Sequence, residues 1–402
     1  MNYEAIRQST ANARSKLLRT LKKSITTYEG KHGSGQFISE KGPAEHVGVY
    51  GTSAIIEAIG QCEPTFADIH KFIPTLAALD TPKSEDEKQD SKITFKLCAA
   101  INALKTLQQS GSSNQKSDDL LRNLAQKLKS MSKRDDIDNI TYWLFSPNDA
   151  NQDPTHHTIP TAYATHALSN IIPANELRGA VKFLCEYTRT HAINGGHPKI
   201  TELAPIMLAL DSYQTERRNH ISDKEFKNLE YYLYKHFVSK EHFDETFINF
   251  IHTPFASLFY VIKTDLVILK YFLIANSKYL KSQDVFNKIQ GLLKSINNNE
   301  KYISTENQQA SVRENALACR VLDLLEKKLY ALTPNKILSV WYRFEWNPKP
   351  NIQLAAGRTI TAFFILAAPA YTTIFSGKSL ENLLAVTTGI ISSFIFEYLR
   401  RK

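Results

Sequence analysis

Six segments of this 402-residue chain repeat one pattern: a polar or proline-bearing turn, then an apolar run rich in small residues. They are VYGTSAIIEAIG (49–60), ITFKLCAAINAL (93–104), IPTAYATHALSN (159–170), ITELAPIMLALD (200–211), HTPFASLFYVIK (252–263) and RENALACRVLDL (313–324). Their starts recur at intervals of roughly 40 to 65 residues, the length of a helix pair. More polar helical segments lie between them, such as ELRGAVKFLCEYTRTH (176–191) and DKEFKNLEYYLYKHF (223–237). Small side chains let helices crowd around an axis, while charged ones belong on an outer layer. Six such pairs close into a ring, and an open solenoid is the alternative. Glycine and proline number only 15 each, few turn residues for an all-β chain of this length. The expected class is therefore all-α: an α/α toroid of about six helix pairs, followed by a C-terminal transmembrane hairpin.

The segments HVGVYGTSAIIEAI (46–59) and GGHPKITELAPIMLAL (195–210) resemble inner helices of toroids of the terpenoid-cyclase and protein-prenyltransferase-like type. The likeness is one of pattern and runs over most of residues 40–330. It implies a ligand pocket at the axis, fed by the N-terminal ends of inner helices. Such ends carry free N–H groups and partial positive charge, which suit anionic or polar ligands. The residues near them are His46 and Tyr50, Asp153, His156, His157 and His166, then His197 and Glu202, His252, and Arg313 and Glu314. Tyr50, His157, His197, His252 and Arg313 are the candidate ligand-binding set. The cyclases resemble one another in a DxDD acid motif, and the nearest string here is Arg134-Asp135-Asp136-Ile137-Asp138, in a different order. A toroid-type glycosidase needs two carboxylates across the cleft, and Glu202 and Glu314 are candidates. No catalytic residue is assigned.

Cys62, Cys98, Cys185 and Cys319 each lie in an apolar helical stretch, without a CxxC neighbour or a histidine at ligand spacing. They read as buried free thiols. Five of the twelve histidines fall between 156 and 197, but no pair has HxxxH or HxxE spacing with a third ligand, so no metal and no cofactor are expected. GKHGSG (30–35) is not a P-loop, since no GK[ST] closes it, and reads as a flexible break after a basic amphipathic helix over 1–28. The formal charge of +9 permits nucleic-acid binding but also suits anionic lipid; the bilayer is the expected partner, and nucleic acid an indirect one at most.

The C-terminus carries the membrane signal. Residues 359–375 read TITAFFILAAPAYTTIF without a charge, and 383–396 are uncharged again. With their flanks, over about 356–376 and 380–399, each approaches the ~20 residues that span a bilayer core. The aromatic stretch 340–346, with Trp341, Tyr342 and Trp346, suits the interface. Lys349, Arg358, Arg400, Arg401 and Lys402 flank the pair, and the link carries only Lys378. The positive-inside rule then places both ends in the cytosol, and the N-terminus shows no secretory signal, so an inner-membrane protein with a cytosolic body is expected. Ala385, Gly389 and Ser393 form a stripe of small residues for helix packing in an oligomer.

Three domains follow: a basic helix and Gly-rich break (1–35), a toroid-like body (36–335) and a membrane region (336–402). A cytosolic sensor joined to a minimal membrane module resembles the membrane effectors of prokaryotic antiviral defence. The resemblance implies that a signalling ligand or protein partner reaches the toroid, and that the hairpins assemble and disrupt the bilayer. The alternatives are a membrane-tethered enzyme on an isoprenoid or lipid-like substrate, and a membrane scaffold.

Overall fold

The computed structural model describes residues 3–35, 47–80, 93–145, 157–193, 200–239, 246–253, 256–262, 264–299 and 311–332. They belong to one unit, Met1–Leu332, and a second unit comprises Thr333–Lys402. The apolar stretches 359–375 and 383–396, with Ala385, Gly389 and Ser393, lie outside the described residues, as do His46, Asp153, His156 and His197. Among the described residues no helix is long and apolar enough to cross a membrane.

The described chain is mostly helical. It begins with α1 (Tyr3–Lys23), the hairpin of β1 (Thr26–Tyr28) and β2 (Lys31–Gly33), α2 (Val49–Cys62) and the short α3 (Ile73–Ala77). Next come α4 (Ile93–Gln109), α5 (Gln115–Ser130), β3 (Lys133–Asp135) and β4 (Ile140–Tyr142), α6 (Thr158–Leu168), α7 (Arg178–Thr188), α8 (Ile200–Asp211), α9 (Gln214–Arg218) and α10 (Asp223–Ser239). The last elements are β5 (Thr246–Thr253), β6 (Ala256–Ile262), α11 (Thr264–Ile274), α12 (Gln283–Asn299) and α13 (Val312–Leu332).

Six of these helices pack in a closed cycle: α2 on α4, α4 on α6, α6 on α8, α8 on α11, α11 on α13, and α13 back on α2. Buried alanines let them approach, among them Ala54, Ala58, Ala100, Ala103, Ala162, Ala204 and Ala316. Ile55, Ile59, Leu97, Ile101, Leu168, Met207, Leu269 and Leu322 fill the seams, each worth about 1.5–3 kcal/mol of burial. The outer helices are amphipathic. α5 packs on α4, α7 on α6 and α8, α10 on α8 and α12, and α1 on α12 and α13. The polar linker before α5 supplies its cap: the Asn114 side chain accepts from the Ser117 amide, and the Ser117 hydroxyl accepts from the Asn114 amide.

Three expectations are corrected. First, 252–263 is not a ring helix. Thr246–Ile262 pairs as an antiparallel hairpin, with Phe247 opposite Val261, His252 opposite Ser257, and an irregularity between Asn249 and Ile251. The stretch is crowded with Phe, Ile, Val, Tyr and Thr, which suit a pleated surface better than a helix. The fifth ring position falls to α11, just downstream. Second, His252 therefore stands in a strand and not at the start of a ring helix.

Third, residues 1–35 are not a separate piece ending in a flexible break. In α1, Ile6, Thr10, Ala13, Leu17 and Leu21 share one face and are buried, and Arg14 pairs with Asp323 (3.2 Å) and Glu326 (2.9 Å) of α13. Glu29 and Gly30, both at positive φ (49° and 74°), close the β1–β2 turn. Gly51 then lets α2 come against this hairpin. A Cβ there would lie 1.9 Å from the Gly35 carbonyl oxygen, while the Ser34 amide donates to the Thr52 hydroxyl (3.2 Å).

Candidate functional site

The ring of helices leaves a chamber of about 940 Å³ at its axis, including the space open to solvent, and every one of the six ring helices contributes to its wall. Most of the wall is apolar or aromatic. Ala54 comes from α2, Phe95 and Ala99 from α4, Ala162 and Tyr163 from α6, Pro205 and Leu208 from α8, Val267 from α11, and Ala316 and Leu317 from α13. This follows from the sequence, since the helices that crowd round an axis carry their small and apolar residues on its side.

A few polar groups interrupt the wall. In the first turns stand Tyr50 of α2, and Arg313 and Glu314 of α13. Glu57, Asn102, His166, Lys270 and Arg320 stand two turns further along their helices. Glu57 and Arg320 form an ion pair between α2 and α13. The Arg320 Nε also donates to the Gln61 side-chain oxygen (3.1 Å), and Gln61 donates to Asp323 (2.8 Å). Burial brings the Arg320 guanidinium down to about 10.

Arg313 shares the chamber wall with Tyr163, and its charge acts on the Tyr163 hydroxyl. Burial pushes that hydroxyl up from its ordinary value, and the Arg313 charge opposes the shift. Tyr163 also meets Phe95 edge-on, with centroids 5.5 Å apart. Burial lowers His166 to about 3, with the Lys270 and Lys105 charges adding to the effect, so its ring is neutral. Its Nδ1 is buried without a hydrogen-bond partner. Lys105 reaches behind it to the end of α6, donating to the carbonyls of Ala167 (3.1 Å) and Ser169 (2.8 Å). Those carbonyls have no partner inside the helix, so a cation there acts as a C-terminal cap.

Lys270 is the group with the most chemical consequence. It projects into the chamber from the middle of α11, and no hydrogen bond or ion pair joins it to any described residue. Desolvation lowers its ammonium to about 8, which leaves it mostly charged at neutral pH. A buried cation without a counter-charge is costly, and an anion supplied by a ligand removes that cost.

The candidates divide accordingly. Tyr50 and Arg313 line the chamber. His157, at the start of α6, is buried against Tyr142 and Phe145 (centroids 6.1 and 5.8 Å) and is not part of the chamber wall. His252 lies in β5, not at a helix start, and His197 is outside the described residues. Glu202 accepts from the Tyr187 hydroxyl of α7 rather than facing Glu314 across the chamber, so the two do not make a carboxylate pair. Asp135, Asp136 and Asp138 belong to the β3–β4 turn, where Asp135 accepts from the Ile137 amide (3.0 Å). Among the described residues no three His, Cys, Asp or Glu side chains gather as a metal set.

Lys270, Glu57, Asn102 and Arg320 were missed in the sequence reading. The signal was there: Lys270 is one of only two charges in TDLVILKYFLI, and Glu57 is the single charge in VYGTSAIIEAIGQC. A lone charge in an otherwise apolar buried helix marks a polar cavity or a function. No protein-family model, no curated protein and no solved structure matches the chain.

Proposed function

We propose that residues 3–332 form an α/α toroid whose axial chamber receives a small amphipathic anion, and that the chain is a membrane effector governed by that ligand. The observation that carries this reading is the chamber itself: an apolar wall drawn from all six ring helices, with Lys270 inside it, unpaired among the described residues. An apolar pocket with a few placed polar groups is the usual form of a small-molecule site. The apolar body of the ligand lies against Phe95, Ala99, Leu208 and Val267, and its anionic group meets Lys270. The membrane half of the proposal rests on the uncharged stretches 359–375 and 383–396 with their basic flanks. They form a transmembrane hairpin that anchors the body on the cytosolic face of the inner membrane. Ligand binding then brings hairpins together and disrupts the bilayer, an output like that of prokaryotic antiviral membrane effectors.

The binding half is tested on residues 1–332 with anilinonaphthalene sulfonate, an aromatic sulfonate that fluoresces in apolar sites. Saturable binding at one site per chain is expected. Lys270→Met weakens it about tenfold, or ~1.4 kcal/mol, and Ala99→Trp, which fills the chamber, abolishes it, with near-ultraviolet circular dichroism unchanged in both. Equal binding by all three proteins removes the chamber from the function.

A further inference from the structure

Two of the four cysteines meet on the outer side of the ring. Cys62 is the last residue of α2 and Cys319 lies within α13. Their sulfurs are 3.7 Å apart, while a disulfide holds them at about 2.05 Å. Cys62 ends its helix, so a modest rotation of its side chain and last turn closes the gap. Cys62 is half-buried and Cys319 is buried, so a reagent in solvent meets Cys62 first.

The surroundings of Cys62 suit a reactive thiol. It sits in the wall of a surface cleft formed with α1, whose charged groups are Arg14, Arg19 and Lys22 against the single carboxylate of Glu63. The Arg14 guanidinium lines the same cleft as Cys62 and is fixed from behind by Asp323 and Glu326. Cys319 is held well above the ordinary thiol value by the neighbouring Cys62 thiol and by burial. Cys98 and Cys185 are buried on α4 and α7, away from this pair.

We infer that Cys62 and Cys319 are a redox-active pair, in which Cys62 attacks an anionic low-molecular-weight disulfide from the cleft and Cys319 resolves it. In the first step the Cys62 thiolate attacks one sulfur of the reagent. Its S–S bond breaks, one reagent thiolate leaves and takes up the proton that Cys62 gave up to solvent, and a mixed disulfide forms at Cys62. In the second step the Cys319 sulfur attacks the Cys62 sulfur. The second reagent thiolate leaves and takes up the Cys319 proton, and the Cys62–Cys319 bond remains. Two protein thiols are oxidised and one reagent disulfide is reduced to two thiols. The product ties α2 to α13 across the contact that closes the ring, on the last helix before Thr333.

The test uses the full-length chain in mild detergent with glutathione disulfide, an anionic reagent, and cystamine, a cationic one. After trapping of free thiols and digestion without reductant, mass spectrometry should find the Cys62 peptide joined to the Cys319 peptide, with Cys98 and Cys185 reduced. Cys319→Ser should accumulate a mixed disulfide at Cys62, and Cys62→Ser should leave Cys319 unreacted; both should keep the wild-type circular dichroism. Glutathione disulfide should react several-fold faster than cystamine at low salt, and Arg19→Glu should erase that preference. Absence of the linked peptide, or reaction of Cys319 in Cys62→Ser, overturns the pair. A linked peptide formed equally fast by both reagents overturns the anionic class of partner.

Discussion

The Arg313 guanidinium of α13 acts on the hydroxyl of Tyr163 on α6, the ring helix three places away in either direction round the cycle. The interaction therefore reaches across the axis rather than between neighbours. With Phe95 against Tyr163 (5.5 Å), it forms a polar and aromatic bar over the chamber. Arg313→Glu should repel an anionic ligand, lowering affinity for anilinonaphthalene sulfonate at least tenfold. Tyr163→Phe should keep the charge and change affinity little. A titration in which Arg313→Glu binds as well as the wild type would move ligand entry away from this bar.

Lys270 makes binding depend on pH. Its protonated form persists below about 8 and is lost above, so anion affinity should be full at pH 7 and fall as pH rises through about 8. His166, at about 3, is neutral throughout this range and adds nothing to the change. Lys105 titrates in the same region but is engaged with carbonyls at the end of α6. In Lys270→Met the affinity should be low and flat from pH 7 to pH 9. A persisting fall in that variant would assign the step to Lys105.

The Glu57–Arg320 pair joins α2 to α13. Both side chains are largely buried, at 13% and 17% relative exposure. Glu57→Gln leaves the guanidinium with Gln61 as its side-chain partner. The expected cost is about 3 kcal/mol, the low end for breaking a buried pair because some water reaches it. Adding Arg320→Met should recover a good part of it. Urea unfolding of the single and double variants measures both steps. A single variant as stable as the wild type would show the pair to be solvent-screened.

Gly51 and Gly60 lie on the same helix and should respond oppositely to alanine. At Gly51 a Cβ meets the Gly35 carbonyl oxygen at 1.9 Å, a backbone atom that cannot turn aside. At Gly60 the nearest atoms are the side-chain carbons of Leu107 and Thr106 at 3.4 Å. Gly51→Ala should destabilise by about 1–3 kcal/mol through overpacking. Gly60→Ala should be neutral or gain up to ~1 kcal/mol of helix propensity. Thermal unfolding separates the two, and tolerance at Gly51 would mean that the hairpin docks less closely than described.

The membrane proposal has its own readouts. The full chain should stay with membranes through carbonate extraction, and a chain ending near residue 340 should be released. Gly389→Leu keeps the segment apolar while blocking close helix approach. At matched membrane levels it should insert normally and lose permeabilisation, measured as dye entry. Release of the full chain into carbonate would remove the hairpin from the bilayer.

The sequence by itself determined the helical class and most of the ring. α2, α4, α6, α8 and α13 all fall on stretches where small residues recur at helical spacing, because packing around a crowded axis requires such side chains wherever the chain later runs. It also placed Tyr50 and Arg313 near the starts of ring helices. It misplaced the fifth ring helix, because Thr246–Ile262 and Thr264–Ile274 are both apolar runs, and apolar periodicity alone does not separate a buried strand from a buried helix. Only the tertiary structure decided that Glu57 meets Arg320, that Lys270 enters a chamber shared by six helices, and that Cys62 faces Cys319. Those relationships join residues hundreds of positions apart. They depend on how each helix is rotated about its own axis, which is set by packing against neighbours on both sides rather than by local preference.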